Sequence, residues 1–229
     1  MNILTRIRDG ILTVQKWRRD RVPGALGDFY RAGETELLYR GLPVSSSSLV
    51  IDAGGYHGSW TAEMLVRYGC TVKVFEPTPE LAANLRERFG QNNRVTVDEE
   101  ALGGQGGVEE FTVAGLGSGA TVPHAGPRIR VRKVDVADVL GAGPPRIACM
   151  KLNIEGAEYE VLDRLIETGF HDRVDCFLIQ FHNFVATAPE HRQRIRSILA
   201  KTHRLVWDFP LVWERWDIAT QVEKPRQNA

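Results

Sequence analysis

Leu49, Val50 and Ile51 form the first strongly apolar run of the chain, short and largely β-branched, and this pattern predicts a strand buried on both faces. Asp52 stops the run, and Gly54, Gly55 and Gly58 follow where a helix is due to begin. Helical and alternating patterns then take turns. Ser59 to Tyr68 reads as a helix closed by Gly69, and Thr71 to Phe75 as a second strand. Pro79 to Phe89 reads as a second helix, with proline near its start and Gly90 after its end. Arg94 to Val97 is the third strand expected.

Beyond that point the rhythm breaks. Residues 101–127 carry a dense run of glycines, which predicts a short hairpin followed by a mobile loop. Ile129 to Val134 alternates as a strand. Apolar strands at Ile147 to Leu152 and Cys176 to Phe181 flank a helix over Ala157 to Glu167, and a basic amphipathic helix follows over Pro189 to Lys201. The segments RLVWDF and LVWERW suit a closing antiparallel pair. Strands alternating with helices predict an α/β fold with a mostly parallel sheet and right-handed crossovers.

The pattern divides the chain into an N-terminal helical extension (1–40), an α/β domain (41–221) and a polar tail (222–229) expected to be disordered. In the extension, Ile3, Leu4, Ile7, Ile11 and Val14 recur at helical spacing among Arg6, Arg8, Lys16, Arg18, Arg19 and Arg21. The apolar stripe is short and is interrupted by Asp9 and Gly10. It is therefore expected to pack on its own domain or on a second subunit, rather than on a membrane.

Composition narrows the function classes. The 229 residues are enough for one domain with a substantial core. Lys plus Arg and Asp plus Glu both number 29, so no global basic field points to a nucleic-acid partner. No apolar stretch reaches the roughly 18 residues of a membrane span, and the N-terminus lacks the apolar core of a signal peptide. Cys70, Cys149 and Cys176 are scattered and lack metal-ligand spacing, as expected of a cytoplasmic protein.

A parallel sheet binds ligands beyond the carboxyl ends of its strands. Those ends are Asp52, Glu76, the Glu99-Glu100-Ala101 segment, Asn153 to Glu155, and Gln180 to His182. Acid at the first end separates two ligand classes. A dinucleotide pyrophosphate favours bare amides at a helix N-terminus, and a carboxylate beside it repels it. S-adenosylmethionine (SAM) carries a sulfonium, an ammonium and a ribose diol, all of which suit carboxylates. The spacing Asp-x-Gly-Gly-x-x-Gly also departs from Gly-x-Gly-x-x-Gly, and Glu76 lies about 24 residues past Asp52, near where an acidic side chain grips ribose hydroxyls. The expectation is a SAM site. Asp52, Gly54, Gly55 and Tyr56 would receive the methionine end, Glu76 and Pro77 the ribose, and Glu100 and Ala101 the adenine, while His57 shapes the pocket.

With these residues in view, VIDAGGYHGSWT, VFEPTPELAANL, EEALGGQGG and MKLNIEGAEYEVL resemble, in this order, the FkbM family of SAM-dependent methyltransferases. The resemblance covers residues 49–182, and FEP-x-P with IEGAE-x-E-x-L is its most specific part. It implies the class I methyltransferase (Rossmann-like) fold, a seven-stranded mostly parallel sheet with one antiparallel strand. It also implies O-methylation of hydroxyls on sugars or on polyketide-type natural products. The sequence departs from the family at Asn153, where aspartate is usual.

A sugar hydroxyl is a weak nucleophile, so a base or a metal should assist it. His182, with an ordinary pKa near 6.5, is the expected base. Glu155 would orient it or the substrate, or else cap the helix that follows, and Asn153 completes the set. Asn153, Glu155, Gln180 and His182 are also a candidate set for Mg²⁺. The loop from Gly115 to Pro127, carrying His124 as a secondary base candidate, is expected to close over the acceptor. Trp207, Trp213 and Trp216 are expected in the core or an interface. The partner expected is a small-molecule or oligosaccharide substrate, and the N-terminal helix and terminal tryptophans suit a homodimer. The competing class, an NAD-dependent oxidoreductase, calls for a group such as Tyr-x-x-x-Lys after the fourth strand, and that is absent.

Overall fold

A computed structural model of the chain describes residues 22–113, 126–184 and 187–219. The amphipathic stretch over residues 3–21, the loop segment bearing His124 and the polar tail lie outside the described residues.

Two short helices come first, α1 (Gly24–Ala32) and α2 (Glu34–Tyr39). The α/β succession follows as β1 (Leu49–Ala53), α3 (Ser59–Tyr68), β2 (Thr71–Phe75), α4 (Pro79–Phe89) and β3 (Val95–Asp98). Next are β4 (Ala101–Gly103), β5 (Gly107–Thr112), β6 (Arg128–Asp135) and α5 (Val136–Ala142). The chain returns through β7 (Cys149–Leu152), α6 (Glu158–Glu167), β8 (Cys176–Ile179) and α7 (Ala188–Leu199) to the closing strands β9 (His203–Phe209) and β10 (Trp213–Ile218).

The main sheet has seven strands in the order β3-β2-β1-β7-β8-β10-β9. Strands β3, β2, β1, β7 and β8 are mutually parallel, and β10 runs antiparallel to both β8 and β9. This is the sheet expected, with its single antiparallel strand. Order reverses between β1 and β7, which makes their carboxyl ends the switch point where such sheets bind ligands. The central strands are apolar because both faces are covered: every residue of β7 and of β8 is buried.

The glycine-rich middle differs from expectation. Strand β6 pairs antiparallel with β5 and parallel with β4, forming a second, three-stranded sheet instead of a lone hairpin. It leads into α5, which the pattern did not predict. Asp135 ends β6 and caps that helix, its Oδ1 accepting from the Ala137 amide at 2.7 Å. So short a helix shows too little periodicity to read, but the capping aspartate is a legible start signal.

The N-terminal helices share the main core. Phe29, Leu38 and Leu42 pack with Val50, Val72 and Trp213. At the far edge, α7 grips the closing strands: Arg196 Nη1 pairs with Asp208 Oδ2 at 2.8 Å and with Glu214 Oε2 at 2.9 Å. Trp213 and Trp216 are buried, as expected of core residues. Cys70, Cys149 and Cys176 are free and buried. Among the described residues, no helix is long and apolar enough to cross a membrane.

Candidate active site

The carboxyl ends of β1, β2 and β7 open into a cavity of about 440 Å³, within the size range of small-ligand sites. Its floor is the glycine turn after β1, with Gly54, Gly55, Tyr56 and His57. Glu76, Pro77 and Thr78 line one side, with Ala101 and Leu102 beyond them. Lys151, Asn153, Ile154 and Glu155, all at or after the end of β7, form the other side together with Gln180. Tyr30, Glu34 and Tyr39 from the N-terminal helices also line it, as do Trp60 and Trp213.

The glycine turn is shaped by contact as well as by backbone angle. Gly54 has φ +82°, and a Cβ there would lie 2.0 Å from the Asn153 carbonyl oxygen. Backbone thus meets backbone between the ends of β1 and β7. Three non-glycine residues among the described ones have positive φ, and two of them, Tyr56 (48°) and Glu155 (53°), line the cavity. Non-glycine residues held in this region cluster at functional sites, where surrounding contacts maintain the strain.

Asp52 does not line the cavity. It stands opposite Lys151 in the β1–β7 register and is fully buried. Lys151 Nζ donates to Asp52 Oδ1 at 2.7 Å and to the Gly54 carbonyl at 2.8 Å, and Thr61 Oγ1 donates to Asp52 Oδ2 at 2.7 Å. The expectation that Asp52 receives the methionine end therefore needs correcting. Its charge is matched internally, and its part is to fix the turn and Lys151. Glu76 does line the cavity; its Oε2 accepts from the Tyr56 amide at 2.9 Å and its Oε1 from the Thr78 amide at 3.0 Å. A carboxylate offers about four lone-pair sites, so acceptor capacity remains for ribose hydroxyls. Glu100 turns away from the cavity and pairs with Arg132 at 3.0 Å, whereas Ala101 faces in.

The ends of β7 and β8 set Glu155, His182 and Glu158 in a row. His182 Nε2 lies 3.3 Å from Glu155 Oε2, and its Nδ1 lies 3.1 Å from Glu158 Oε1. Glu158, fully buried, also accepts from the His182 amide and, through Oε2, from the Gly156 amide, both at 2.8 Å. Glu158, the first residue of α6, thus reaches back to an amide before the helix, whose start carries no side-chain cap. Tyr159 completes the support, its hydroxyl donating to the His182 carbonyl at 2.9 Å.

Burial opposes a charge on His182, but its hydrogen bonds to Glu155 and Glu158, strengthened by their charges, prevail and raise its pKa from 6.5 to about 9. The ring is an imidazolium at neutral pH and stands behind Glu155, outside the cavity lining. The expectation was a neutral His182 as base; the raised pKa and the place behind Glu155 suit a supporting role. Tyr39 is raised to about 12 by burial and by the carboxylates of Glu34, Glu63 and Asp52, so it stays a neutral phenol in the cavity wall.

The sequence model of one family, described as the methyltransferase FkbM domain, matches residues 52–204. The chain belongs to the FkbM methyltransferase family. It is thereby a SAM-dependent methyltransferase. No curated protein matches the sequence. Among solved structures, an rRNA methylase from Streptococcus thermophilus superposes with a TM-score of 0.50 at 10% identity, over 82% of this chain and 95% of that one. The 23S rRNA methyltransferase ErmE gives 0.49 at 15%, over 81% and 67%. The N-terminal domain of human METTL16, in complex with S-adenosylhomocysteine (SAH), gives 0.45 at 12%, over 87% and 73%. At such identities the first of these speaks to the fold alone, in agreement with the sheet order.

The lining of this FkbM methyltransferase fits SAM. Asn153 Oδ1 is buried without a hydrogen-bond partner, and Glu76 keeps lone pairs for a ribose diol. Mg²⁺ does not fit the set expected for it. Both ring nitrogens of His182 face carboxylates, Nε2 at 3.3 Å from Glu155 and Nδ1 at 3.1 Å from Glu158, which leaves neither turned to a shared ion. Among the described residues no group of three or more His, Cys, Asp or Glu could hold a metal ion. Sequence reasoning missed Lys151, Glu158 and the N-terminal wall. Lys151 left one signal, a charge inside an otherwise apolar strand.

Proposed function

We propose that this enzyme methylates a hydroxyl of a saccharide acceptor, with Glu155 as the proton acceptor and His182 as the residue that holds it. The observation carrying this reading is Glu155 itself: a carboxylate in a strained backbone conformation, at the switch point, lining the cavity and backed by an imidazolium. Bound SAM supplies an electrophilic methyl group. The acceptor oxygen approaches that carbon opposite sulfur, the O–C bond forms as the C–S bond breaks, and the hydroxyl proton passes to the Glu155 carboxylate. His182 and Glu158 keep Glu155 aimed, as positioned groups must be for general-base catalysis.

The cavity lining supports a saccharide. Tyr30 and Tyr39 offer ring faces and phenol groups, and Glu34 and Glu155 are carboxylates. Aromatic faces suit the C–H side of a sugar ring, and carboxylates accept from its hydroxyls.

The test is incubation with methyl-labelled SAM and a panel of nucleotide sugars and oligosaccharides, alongside ribosomal RNA. Label in an alkali-stable sugar ether supports the reading. Label in RNA, or in an ester, overturns it.

A further inference from the structure

The cavity is acidic. Its lining carries Glu34, Glu76 and Glu155, and among the described lining residues Lys151 is the one lysine and there is no arginine. Lys151 is already matched, its Nζ lying 2.7 Å from Asp52 Oδ1 and 2.8 Å from the Gly54 carbonyl. His57 is exposed at the glycine turn. Behind the lining, His182 stands between two carboxylates, Glu155 and the fully buried Glu158. Glu34 is the lining carboxylate that methyl transfer itself does not call for. It sits half-buried on α2, and its charge reaches the wall: after burial, it is the next cause of the raised Tyr39 pKa.

We infer that the acceptor is an amino sugar, whose protonated amino group is received by Glu34 while Glu155 takes the proton of a hydroxyl on the same saccharide. The assignment rests on the saccharide reading of the cavity and deepens it. An anion entering this lining leaves water without a basic partner to receive it, and it meets like charge. An ammonium instead gains carboxylates, in surroundings that weaken their attraction less than water does. The carboxylates also offset the sulfonium of bound SAM, so two cations can share the cavity. Glu34 is thereby a specificity-determining residue, and Tyr30 and Tyr39 from the same pair of helices offer ring faces to the sugar beside it.

The experiment measures kcat/KM with methyl-labelled SAM at neutral pH on linear trisaccharides of glucosamine, of glucose and of galacturonate. Wild type is expected to favour the glucosamine trimer over the glucose trimer by about tenfold, the scale of a hydrogen bond between charged groups. The galacturonate trimer is expected to be the slowest. In Glu34→Gln the preference for glucosamine over glucose falls to near unity, and a ratio taken within one protein does not depend on how much of it is folded. Equal rates on glucosamine and glucose overturn the assignment and leave the saccharide reading standing. So do a galacturonate trimer methylated as fast as either, a Glu34→Gln protein that keeps the wild-type ratio, and label on the amino nitrogen instead of an oxygen. Label in none of the trimers removes the saccharide reading and takes the assignment with it.

Discussion

Lys151 and Asp52 face each other across the β1–β7 register, 2.7 Å from nitrogen to oxygen, with Asp52 fully buried. The pair ties the two strands together at the switch point and stiffens the turn through the Gly54 carbonyl. Breaking a buried pair from one side strands the other charge. Lys151→Met is expected to destabilise the fold by about 3–5 kcal/mol, and Asp52→Asn by less, since it keeps a polar partner. The double variant Asp52→Asn/Lys151→Met should lose less than the two single losses added together. Denaturant unfolding of all four proteins checks this, and strict additivity would contradict the pairing.

His182 gives a pH dependence of definite sign. Its folded pKa is raised, so the stabilisation from its carboxylate partners is fully present below pH about 6.5 and is lost as pH rises through about 9. The shift corresponds to roughly 3 kcal/mol. Wild-type stability should fall across that window relative to His182→Gln, in which the slope is absent. An NMR titration of the His182 ring with a midpoint near 6.5 would contradict the account.

Glu155→Gln removes the proton acceptor while keeping the shape of the side chain. Turnover is expected to fall about 10²–10⁴-fold, the usual worth of a general base, with SAH affinity nearly unchanged. A fall in affinity with turnover preserved would assign Glu155 to binding instead.

Two glycines predict opposite signs for substitution to alanine. At Gly54 a Cβ would lie 2.0 Å from a backbone oxygen and φ is +82°, so Gly54→Ala should destabilise and abolish SAH binding. Gly141 lies inside α5 with open space around its Cβ position, so Gly141→Ala should stabilise by about 0.5–1 kcal/mol. Thermal unfolding of both variants reads the contrast.

The strand ends were legible because apolar runs stopped by Asp52, Glu76 and Asn153 mark where a parallel sheet presents residues to a ligand. What those residues do was less legible. Asp52 looked like a ligand because its partner Lys151 lies 99 residues away in sequence and meets it only through the strand register. His182 looked like a neutral base because its charge depends on two carboxylates, one of them the wholly buried Glu158. Helices α1 and α2 were expected as an extension, and only tertiary packing places Tyr30, Glu34 and Tyr39 at the cavity. Local pattern specifies elements and their ends; the partners that tune a charge come from distant parts of the chain.

The most direct measurement is calorimetric titration of the purified wild-type protein with SAH and, separately, with NAD. The account predicts micromolar binding of SAH and none of NAD. Binding of NAD, or of neither, would contradict the assignment of the cavity at the ends of β1, β2 and β7.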